Sequence, residues 1–594
     1  VSAVAAAPAD GIDGLIASLG AAGLERGGFL GLALADGVGL GLAFVPSPTH
    51  AAVTHAIPTT DPASVVSALE DAFRPRWVWW SNATAASLTA AGLRVATCWD
   101  LSAVHRLLFG GWRADPARVV AALHDLPIES IPAMGQLNLL DSAGDDGSDF
   151  DDPLRPDGHL RPEWISGGWC ADATRLARWA STAMVMLARQ RQRLAASTHP
   201  VRHEATARSE SAAELLCAEL EADGLPLDVA VAERIIGVLI GPRTANEREA
   251  QANAAARDAA VLQHVPSSND IDLRNPTHVR SLLNRVGVDV PDTRAWRLEP
   301  YRAAHPVVEA LLTWRKAERV ATTYGYAWLD AHVGRDGRLR GAWTGSDGAA
   351  GRMTAQAGLH NLPADMRDAV AAEPGFVFVR ADLGQIEPRV LAAVSGDAQL
   401  AAATAADDLY APVAERLGVE RAVAKVAVLA AMYGQTSGTA GQALKGLETA
   451  YPVAMRFLED ADLSGRAGQD VRTFGGRLVR MWATPDDVDD ERERRSIANA
   501  RGRYARNAMV QGAAAELFKA WAVTVRARTA VHEARIVLCL HDELLVHAPV
   551  DAAPTVADLL DECLQEAAWR WARDRAVRFV ADTTVIARWS DAKP

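Results

Sequence analysis

The sequence predicts a multidomain chain: an α/β layer of about 200 residues, then helical segments, then a mixed α+β region. Three observations predict it. At 594 residues the chain is too long for one core. Strand-like runs alternate with helical ones up to about residue 195. Two strand-and-turn stretches, residues 376–389 (FVFVRADLGQIEPR) and 536–549 (IVLCLHDELLVHAP), then stand among long alanine-rich helical segments.

Hydrophobic content of 49% and charged content of 23% are those of a soluble globular protein. The net charge of −13 argues against a generally basic nucleic-acid coat but leaves room for a local basic channel. Five dispersed cysteines (98, 170, 217, 539 and 563) with no C-x-x-C pair indicate neither a disulfide framework nor a zinc site, which suits a reducing cytoplasm. The opening VSAVAAAPADG lacks a basic region and a sustained apolar run, so no signal peptide is expected. No apolar run is long enough to cross a bilayer.

In chain order, residues 29–45 (FLGLALADGVGLGLAFV) read as a hairpin turned at Asp36-Gly37. Residues 77–80 form another short strand, followed by a helix and the segment 95–100. The acidic stretch 144–156 (GDDGSDFDDPLRP) lacks EF-hand offsets and reads as a solvated loop. No internal repeat, G-x-x-x-x-G-K-[ST] or G-x-S-x-G occurs. From about residue 205 the chain turns helical, with apolar periodicity over 212–224, a helix opened by Asn275-Pro276, and an amphipathic helix over 311–328 with Arg315, Lys316 and Arg319 on its polar side. Residues 347–363 (DGAAGRMTAQAGLHNLP) surround Arg352 with small side chains that permit close backbone approach, or form a plain surface loop.

Residues 376–382 run as an apolar strand, interrupted only by Arg380, into Asp382; Gly384 and Pro388 then stop it, and Pro388 suits a helix opening. Residues 536–549 place His541-Asp542-Glu543 at the apex of a buried hairpin, where carboxylates are unfavourable unless paired. An ordinary solvated turn is one reading. The other is that Asp382 and Asp542, on neighbouring strands about 5 Å apart, share divalent ions. Residues 421–434 (RAVAKVAVLAAMYG) form a helix with Arg421, Lys425, Leu429 and Tyr433 on one drifting face. Two cations, an aliphatic residue and an aromatic ring suit a triphosphate with a stacked base, although an isolated R-x-x-x-K is more often a solvated stripe. In residues 491–511 (ERERRSIANARGRYARNAMVQ) six arginines outnumber two glutamates, a local field able to hold nucleic acid, and Arg503, Asn507 and Gln511 recur every four residues. Gly512 and the alanines 513–515 then allow close packing.

Taken in this order, the segments resemble the family A DNA polymerases, the bacterial DNA polymerase I group. ADLGQIEPR is similar to that family's motif A, RAVAKVAVLAAMYG to motif B and CLHDEL to motif C. GRMTA with HNLP resembles G-R-L-S-S…Q-N-I-P. RYARNAMVQGAAAELFKA resembles the helix that tracks the minor groove, and LTWRKAERVATTY and IDLRNPTHVRSLL resemble the thumb region. The likeness covers about residues 205–594 and implies a right-hand polymerase of palm, fingers and thumb preceded by a degenerate, ribonuclease H-like 3′–5′ exonuclease domain. The expected limits are 1–200 for that domain, 201–340 for thumb and connecting helices, 341–400 for palm with motif A, 401–500 for fingers and 501–594 for the remaining palm. A large-fragment architecture without a 5′ nuclease domain is expected.

The resemblance implies DNA-directed DNA synthesis on primer–template DNA from dNTPs, by a monomer in the bacterial cytoplasm or nucleoid, with two Mg²⁺ ions (Mn²⁺ able to substitute) on Asp382 and Asp542 and Glu543 supporting. Lys425 would protonate pyrophosphate; Arg421 and Lys425 would neutralise the triphosphate. Leu429, Tyr433, Gln385 and Tyr410 would surround the nucleotide, with Glu387 the gate against a ribose hydroxyl. Arg352, Asn361, Arg503, Asn507, Gln511, His541 and Gly434 would meet DNA, several through minor-groove acceptors common to all pairs. The chain departs from the family at Leu429 (Phe or Tyr), Tyr410 (His), His360 (Gln), and Leu383-Gly384 (Tyr-Ser), and the 352–363 interval is one residue short.

In the N-terminal domain, residues 30–45 resemble the second and third exonuclease strands and residues 81–110 the central motif. The D-x-E expected before Leu30 is missing; Asp10 and Asp13 have the wrong spacing and no strand before them. Asn82 fits N-x-x-[FY]-D, but Ala86 takes the aspartate position; Asp100 survives; Y-x-x-x-D appears as Trp179 and Ala183. Synthesis without proofreading is expected. The alternatives are a bifunctional polymerase–exonuclease, a catalytically weak DNA-binding homologue, and a single-subunit RNA polymerase, the last opposed by Glu387.

Overall fold

The computed structural model describes residues 4–6, 11–47, 50–132, 151–265, 271–434, 440–485, 488, 490–573 and 576–592. Segment 144–150 of the acidic stretch, and Asp10, lie outside them. Two compact units emerge. The first comprises Val1–Asp223, Ala342–Thr354 and Val379–Val585; the second comprises Gly224–Gly341, Ala355–Phe378 and Ile586–Pro594.

The first unit begins with a six-stranded sheet of β1 (Val4–Ala6), β2 (Phe29–Ala35), β3 (Gly39–Phe44), β4 (Val53–Pro58), β5 (Arg76–Trp79) and β6 (Thr97–Asp100), ordered β1-β4-β3-β2-β5-β6. The hairpin read from residues 29–45 is β2–β3, antiparallel with Leu32 opposite Leu42. Gly41 lets helix Ala173–Ala195 lie on β3, since a Cβ there would meet the Ala177 nitrogen at 2.1 Å. The expectation that no strand precedes Asp13 fails: β1 does, pairing parallel with β4 through Val4 opposite Thr54. Three small residues carry no periodicity, so only the tertiary partner reveals this strand. β2 lies inside the sheet, between β3 and parallel β5. Neither β1 (VAA) nor β2 (FLGLALA) carries a carboxylate. Aromatic rings fill the adjoining core, with Trp80 stacked on Trp179 at 4.3 Å and Trp164 and Trp169 within 6.0 Å of Trp179.

A four-stranded sheet follows later in the chain, ordered Arg535–Cys539, Glu543–Pro549, Phe376–Leu383, Ala581–Ile586. The first two strands form the expected hairpin, with Cys539 opposite Leu544 and a register shift between Ile536 and Leu538. Phe376–Leu383 leads into helix Ile386–Ser395, so the helix opens two residues before Pro388. The basic run belongs to a 39-residue helix, Glu491–Thr529. Gly512 on this helix permits the expected close approach, because a Cβ there would meet Thr473 Cγ2 at 2.5 Å. Helix Pro200–Asp223, which contains the periodic stretch 212–223, groups with this unit.

The second unit is mainly helical and has its own core, including Val261, Leu282, Val307 and Leu311. Asn275 caps helix Pro276–Arg285 through the Thr277 amide, as its Asn-Pro signal predicts. The single helix expected over 311–328 is two, Pro306–Thr323 and Tyr326–His332, broken at Tyr324-Gly325. The Tyr324 hydroxyl donates to the carbonyls of Gly358 (3.1 Å) and Asn361 (2.8 Å), contacts that periodicity does not register. No helix of the described residues is long and apolar enough to cross a membrane.

Candidate active site

Strand Phe376–Leu383 and the turn of the 535–549 hairpin bring two carboxylates together. The Leu383 amide donates to the Asp542 carbonyl at 2.8 Å, so Asp542 sits beside the end of the strand that carries Asp382. A tight turn, closed by Leu540 N–H to Glu543 carbonyl at 2.8 Å, holds His541 and Asp542 at its apex. Burial pushes the Asp382 carboxyl up to about 6, with repulsion from Asp542 adding to it. Burial raises Asp542 as well. Two carboxylates that resist ionising next to each other suit a shared cation. Among the described residues no group of three or more His, Cys, Asp or Glu is placed to hold a metal, so this is a pair. Bound phosphate oxygens and water would have to complete any cation's shell.

Arg380, which appears in the sequence only as an interruption of an apolar run, bridges the site. Its guanidinium donates to Glu543 Oε2 at 2.7 Å and to Asp382 Oδ2 at 2.9 Å. Glu543 is buried and held by this contact. The signal was the arginine itself: a buried guanidinium in a strand demands a carboxylate partner.

Beyond Asp382 the chain turns sharply at Gln385, a non-glycine residue with φ of 55° that precedes helix Ile386–Ser395. Its side chain donates to Asp408 Oδ1 at 2.9 Å and accepts from the Leu409 amide at 2.8 Å. Asp408 also pairs with Arg421 at 2.5 Å, and the Arg421 guanidinium lies 5.9 Å from the Tyr410 ring. Burial raises the Tyr410 hydroxyl to about 12, with Glu387 the next contributor. Asp408 thus ties Gln385 to the first turn of helix Arg421–Tyr433.

That helix buries Ala424, Ala427, Val428, Ala430, Ala431 and Met432, leaving Arg421 and Lys425 exposed and Leu429 and Tyr433 half-buried on the other side. Leu429 packs partly against the same apolar cluster. The Tyr433 hydroxyl donates to Glu387 at 2.9 Å and also meets the Gln511 side chain. Arg352 reaches the other Glu387 oxygen at 3.5 Å. Gly434 ends the helix at φ 67°, and a Cβ there would touch the Arg503 side chain at 3.0 Å. Arg352, Glu387, Tyr433, Gly434, Arg503 and Gln511 are therefore one cluster. Arg503 is exposed and Asn507 half-buried one turn further along the same helix. His541 is exposed at the hairpin apex, and partial desolvation of its ring, with Arg352 nearby, lowers its pKa. Asn361 belongs to the second unit, where its carbonyl accepts from Arg319 and Tyr324. Of the other arginines in the basic run, Arg494 donates to the Val488 carbonyl (2.8 Å) and buried Arg501 to that of Trp482 (3.2 Å).

The loop bearing Arg352 is supported from beneath by buried charge. Arg477 donates to Ser346 Oγ at 3.2 Å and Lys519 to the Gly345 carbonyl at 3.2 Å. Both pair with Glu210, and all three side chains are buried. Burial alone would raise Glu210, but Arg477 and Lys519 hold it below its usual range. Gly351 allows the contact, since a Cβ there would strike Arg477.

In the N-terminal sheet Asp100 has a different setting. It caps helix Leu101–Phe109 through the Ala103 amide (2.8 Å) and accepts from Trp79 Nε1 (3.1 Å). Asn82 donates to Glu214 at 2.9 Å.

Two carboxylates thus lie on adjoining backbone at a sheet end, beside a helix with exposed cations. The structure matches the POL domain of Pol1 from M. smegmatis, solved in complex with DNA primer-template and dNTP, over 99% of this chain and 100% of that one (TM-score 0.67, 19% identity). DNA polymerase I of Chloroflexus aurantiacus is 32% identical over 327 residues, covering 50% of this chain and 34% of that protein. The thermostable DNA polymerase I of Thermus aquaticus is 31% identical over 301 residues, 46% of this chain and 36% of that one. The chain thus spans about a third of the length of these curated relatives. The profile of DNA polymerase family A matches residues 269–591, more than half of the chain. The chain belongs to DNA polymerase family A.

Proposed function

We propose that this chain extends a DNA primer on a DNA template, adding deoxynucleotides to the primer 3′ end. The observation that carries the reading is the pair Asp382 and Asp542, buried enough to repel each other and open to one side, beside the Arg352–Glu387–Tyr433 cluster. Their oxygens suit Mg²⁺, with Mn²⁺ able to replace it; bound there, divalent ions would supply charge neutralisation and a more acidic primer hydroxyl. Arg380 orients both Asp382 and Glu543. Arg421 would exchange Asp408 for triphosphate oxygens, and Lys425 would carry the proton to departing pyrophosphate. Glu387, fixed by Tyr433 and Arg352, occupies space that a 2′-hydroxyl would need. Arg503, Asn507 and Gln511 present one helix face to the minor groove, with His541 at the primer end. Asn361, in the second unit, would contact DNA.

The same reading divides the chain into an N-terminal domain to about residue 200, a thumb with connecting helices, and palm and fingers between about residues 341 and 594. It makes the protein a cytoplasmic monomer in a bacterium. The N-terminal domain would be a nuclease fold without nuclease chemistry. No carboxylate lies on β1 or β2, Asp100 is engaged as a helix cap, and Trp179, at the position of the motif's tyrosine, stacks on Trp80.

Primer extension with dNTPs and rNTPs in parallel tests the reading. Mg²⁺-dependent extension with dNTPs and little with rNTPs is expected; no extension with either, by folded protein, would refute it. Incubation of a 3′-mismatched primer with Mn²⁺ and no dNTPs should leave its length unchanged. Shortening that persists in Asp382→Ala would restore a bifunctional enzyme.

A further inference from the structure

The first unit holds a cavity of about 580 Å³ that shares no lining residue with the candidate active site. Its walls are the first residues of β5 and β6 (Arg76, Thr97), helix Pro200–Asp223, the distal part of helix Glu491–Thr529 and the end of helix Ala553–Ala572. In a chain of net charge −13, six arginines line it against one carboxylate, Glu566. Four of the six are compensated: Arg208 by Glu204 (2.7 Å), Arg526 by Glu219 (2.6 Å), Arg528 by Glu562 (2.9 Å) and Arg570 by Glu566 (2.6 Å).

Arg76 and Arg202 make no ion pair among the described residues. Arg76 donates to Thr97 Oγ1 at 2.7 Å and to the Cys98 carbonyl at 3.3 Å. Arg202 lies with its guanidinium 3.5 Å from the centre of the Phe474 ring, and its buried Nε meets no acceptor. Burial pulls the pKa of both arginines down; at Arg76 repulsion from Arg208 adds to this and Glu204 opposes it, and at Arg202 Glu516 opposes it. Buried Trp571, also in the wall, has an indole N–H with no acceptor. Two half-buried cations without an ion pair and two orphaned donors around one cavity favour entry of an anion. Guanidinium forks match phosphate oxygens in pairs. The floor between them is apolar, made of alanines with Val523 and Trp571, and the volume falls within the range of small-ligand sites.

We propose that this cavity binds a phosphomonoester of nucleoside monophosphate size. Arg76 and Arg202 take the phosphate, and the apolar floor takes the remainder. The inference does not depend on the polymerase reading, because it is tested without DNA or divalent ions. Calorimetric titration of the full chain with AMP, adenosine and inorganic phosphate should show AMP binding, at least about tenfold weaker binding of phosphate alone and no binding of adenosine. Arg421→Ala/Lys425→Ala should keep AMP binding. Arg76→Gln/Arg202→Gln should weaken it at least about tenfold. No AMP binding to the unaltered chain, loss with the Arg421/Lys425 variant, or equal binding by the Arg76/Arg202 variant would overturn the assignment. Should that last variant not fold, AMP protection of Arg202 from phenylglyoxal in the unaltered chain, read by mass spectrometry, decides the matter, and undiminished labelling would overturn it.

Discussion

Strand Thr97–Asp100 ends on an aspartate and strand Phe376–Leu383 carries one next to its end, and the two residues have opposite settings. Asp100 is fully buried, and its two oxygens accept from the Ala103 amide and the Trp79 indole. Asp382 is half-buried, touches Arg380 and stands beside a second carboxylate. Burial pushes both upward, Asp100 to about 7 and Asp382 to about 6, with Glu214 and Asp542 as the respective carboxylate neighbours. A perturbed pKa alone therefore does not distinguish these two settings. What separates them is whether the oxygens are already satisfied and whether solvent reaches them.

Substitutions sharpen this contrast. The largest effect should come from Asp382→Ala or Asp542→Ala, with primer extension falling on the order of 10³-fold or more, since cation-assisted charge stabilisation is worth several kcal/mol. Melting temperature should not fall, and primer–template binding should hardly change. Asp100→Ala should do the reverse, keeping the extension rate while losing about 2 kcal/mol of stability through the lost cap and the orphaned Trp79 N–H. An equal loss of activity in Asp100→Ala would break the comparison.

Glu387→Ala should come next, reducing discrimination against rNTPs about 10–100-fold, the usual value of one sterically excluded group. Single-nucleotide kinetics with paired dNTP and rNTP check it, and unchanged selectivity would remove the gate assignment. Leu429→Tyr should lower the KM for dNTPs about tenfold by adding a stacking surface worth roughly 1–3 kcal/mol. An unaltered KM would mean that this helix face does not meet the nucleotide.

The smallest effect is a pH dependence. The folded-state pKa of Asp382, about 6, lies above its ordinary 3.8, so the folded chain binds the extra proton between those values. Metal-free stability should then fall as pH rises from about 4 to above 6. Asp382→Asn should be more stable than the unaltered chain above that window by about 1 kcal/mol, the full shift being reduced because the side chain is 35% exposed. The advantage should vanish near pH 4 and shrink when MgCl₂ is added at neutral pH. Thermal melts across this range provide the measurement.

What was legible in the sequence was legible for local reasons. The hairpin around Asp542, the strand into Asp382 and helix Arg421–Tyr433 each repeat one apolar pattern over enough residues to declare themselves. Val4–Ala6 was hidden because three small residues fit any structure until Thr54–Ala56 pairs with them. The break at Tyr324-Gly325 was hidden because the apolar period continues across it. In the site, the groups with intrinsic reactivity stood out, whereas their restraints did not. Arg380, Asp408 and Arg477 act on partners 163, 13 and 131 residues away, and no spacing rule connects such positions.

The Glu210–Arg477–Lys519 contact bears on how the chain could be shortened. Glu210 lies on the helix that leads out of the N-terminal sheet domain, and its two partners lie far downstream. Trimming the chain past that helix would strand two cations under residues 345–352, and losing one member of such a buried set typically costs about 3–5 kcal/mol. Single changes at any of the three positions are penalised in the same way. The N-terminal domain is thereby tied to the rest of the chain, and an engineer seeking a smaller protein would have to redesign all three positions together.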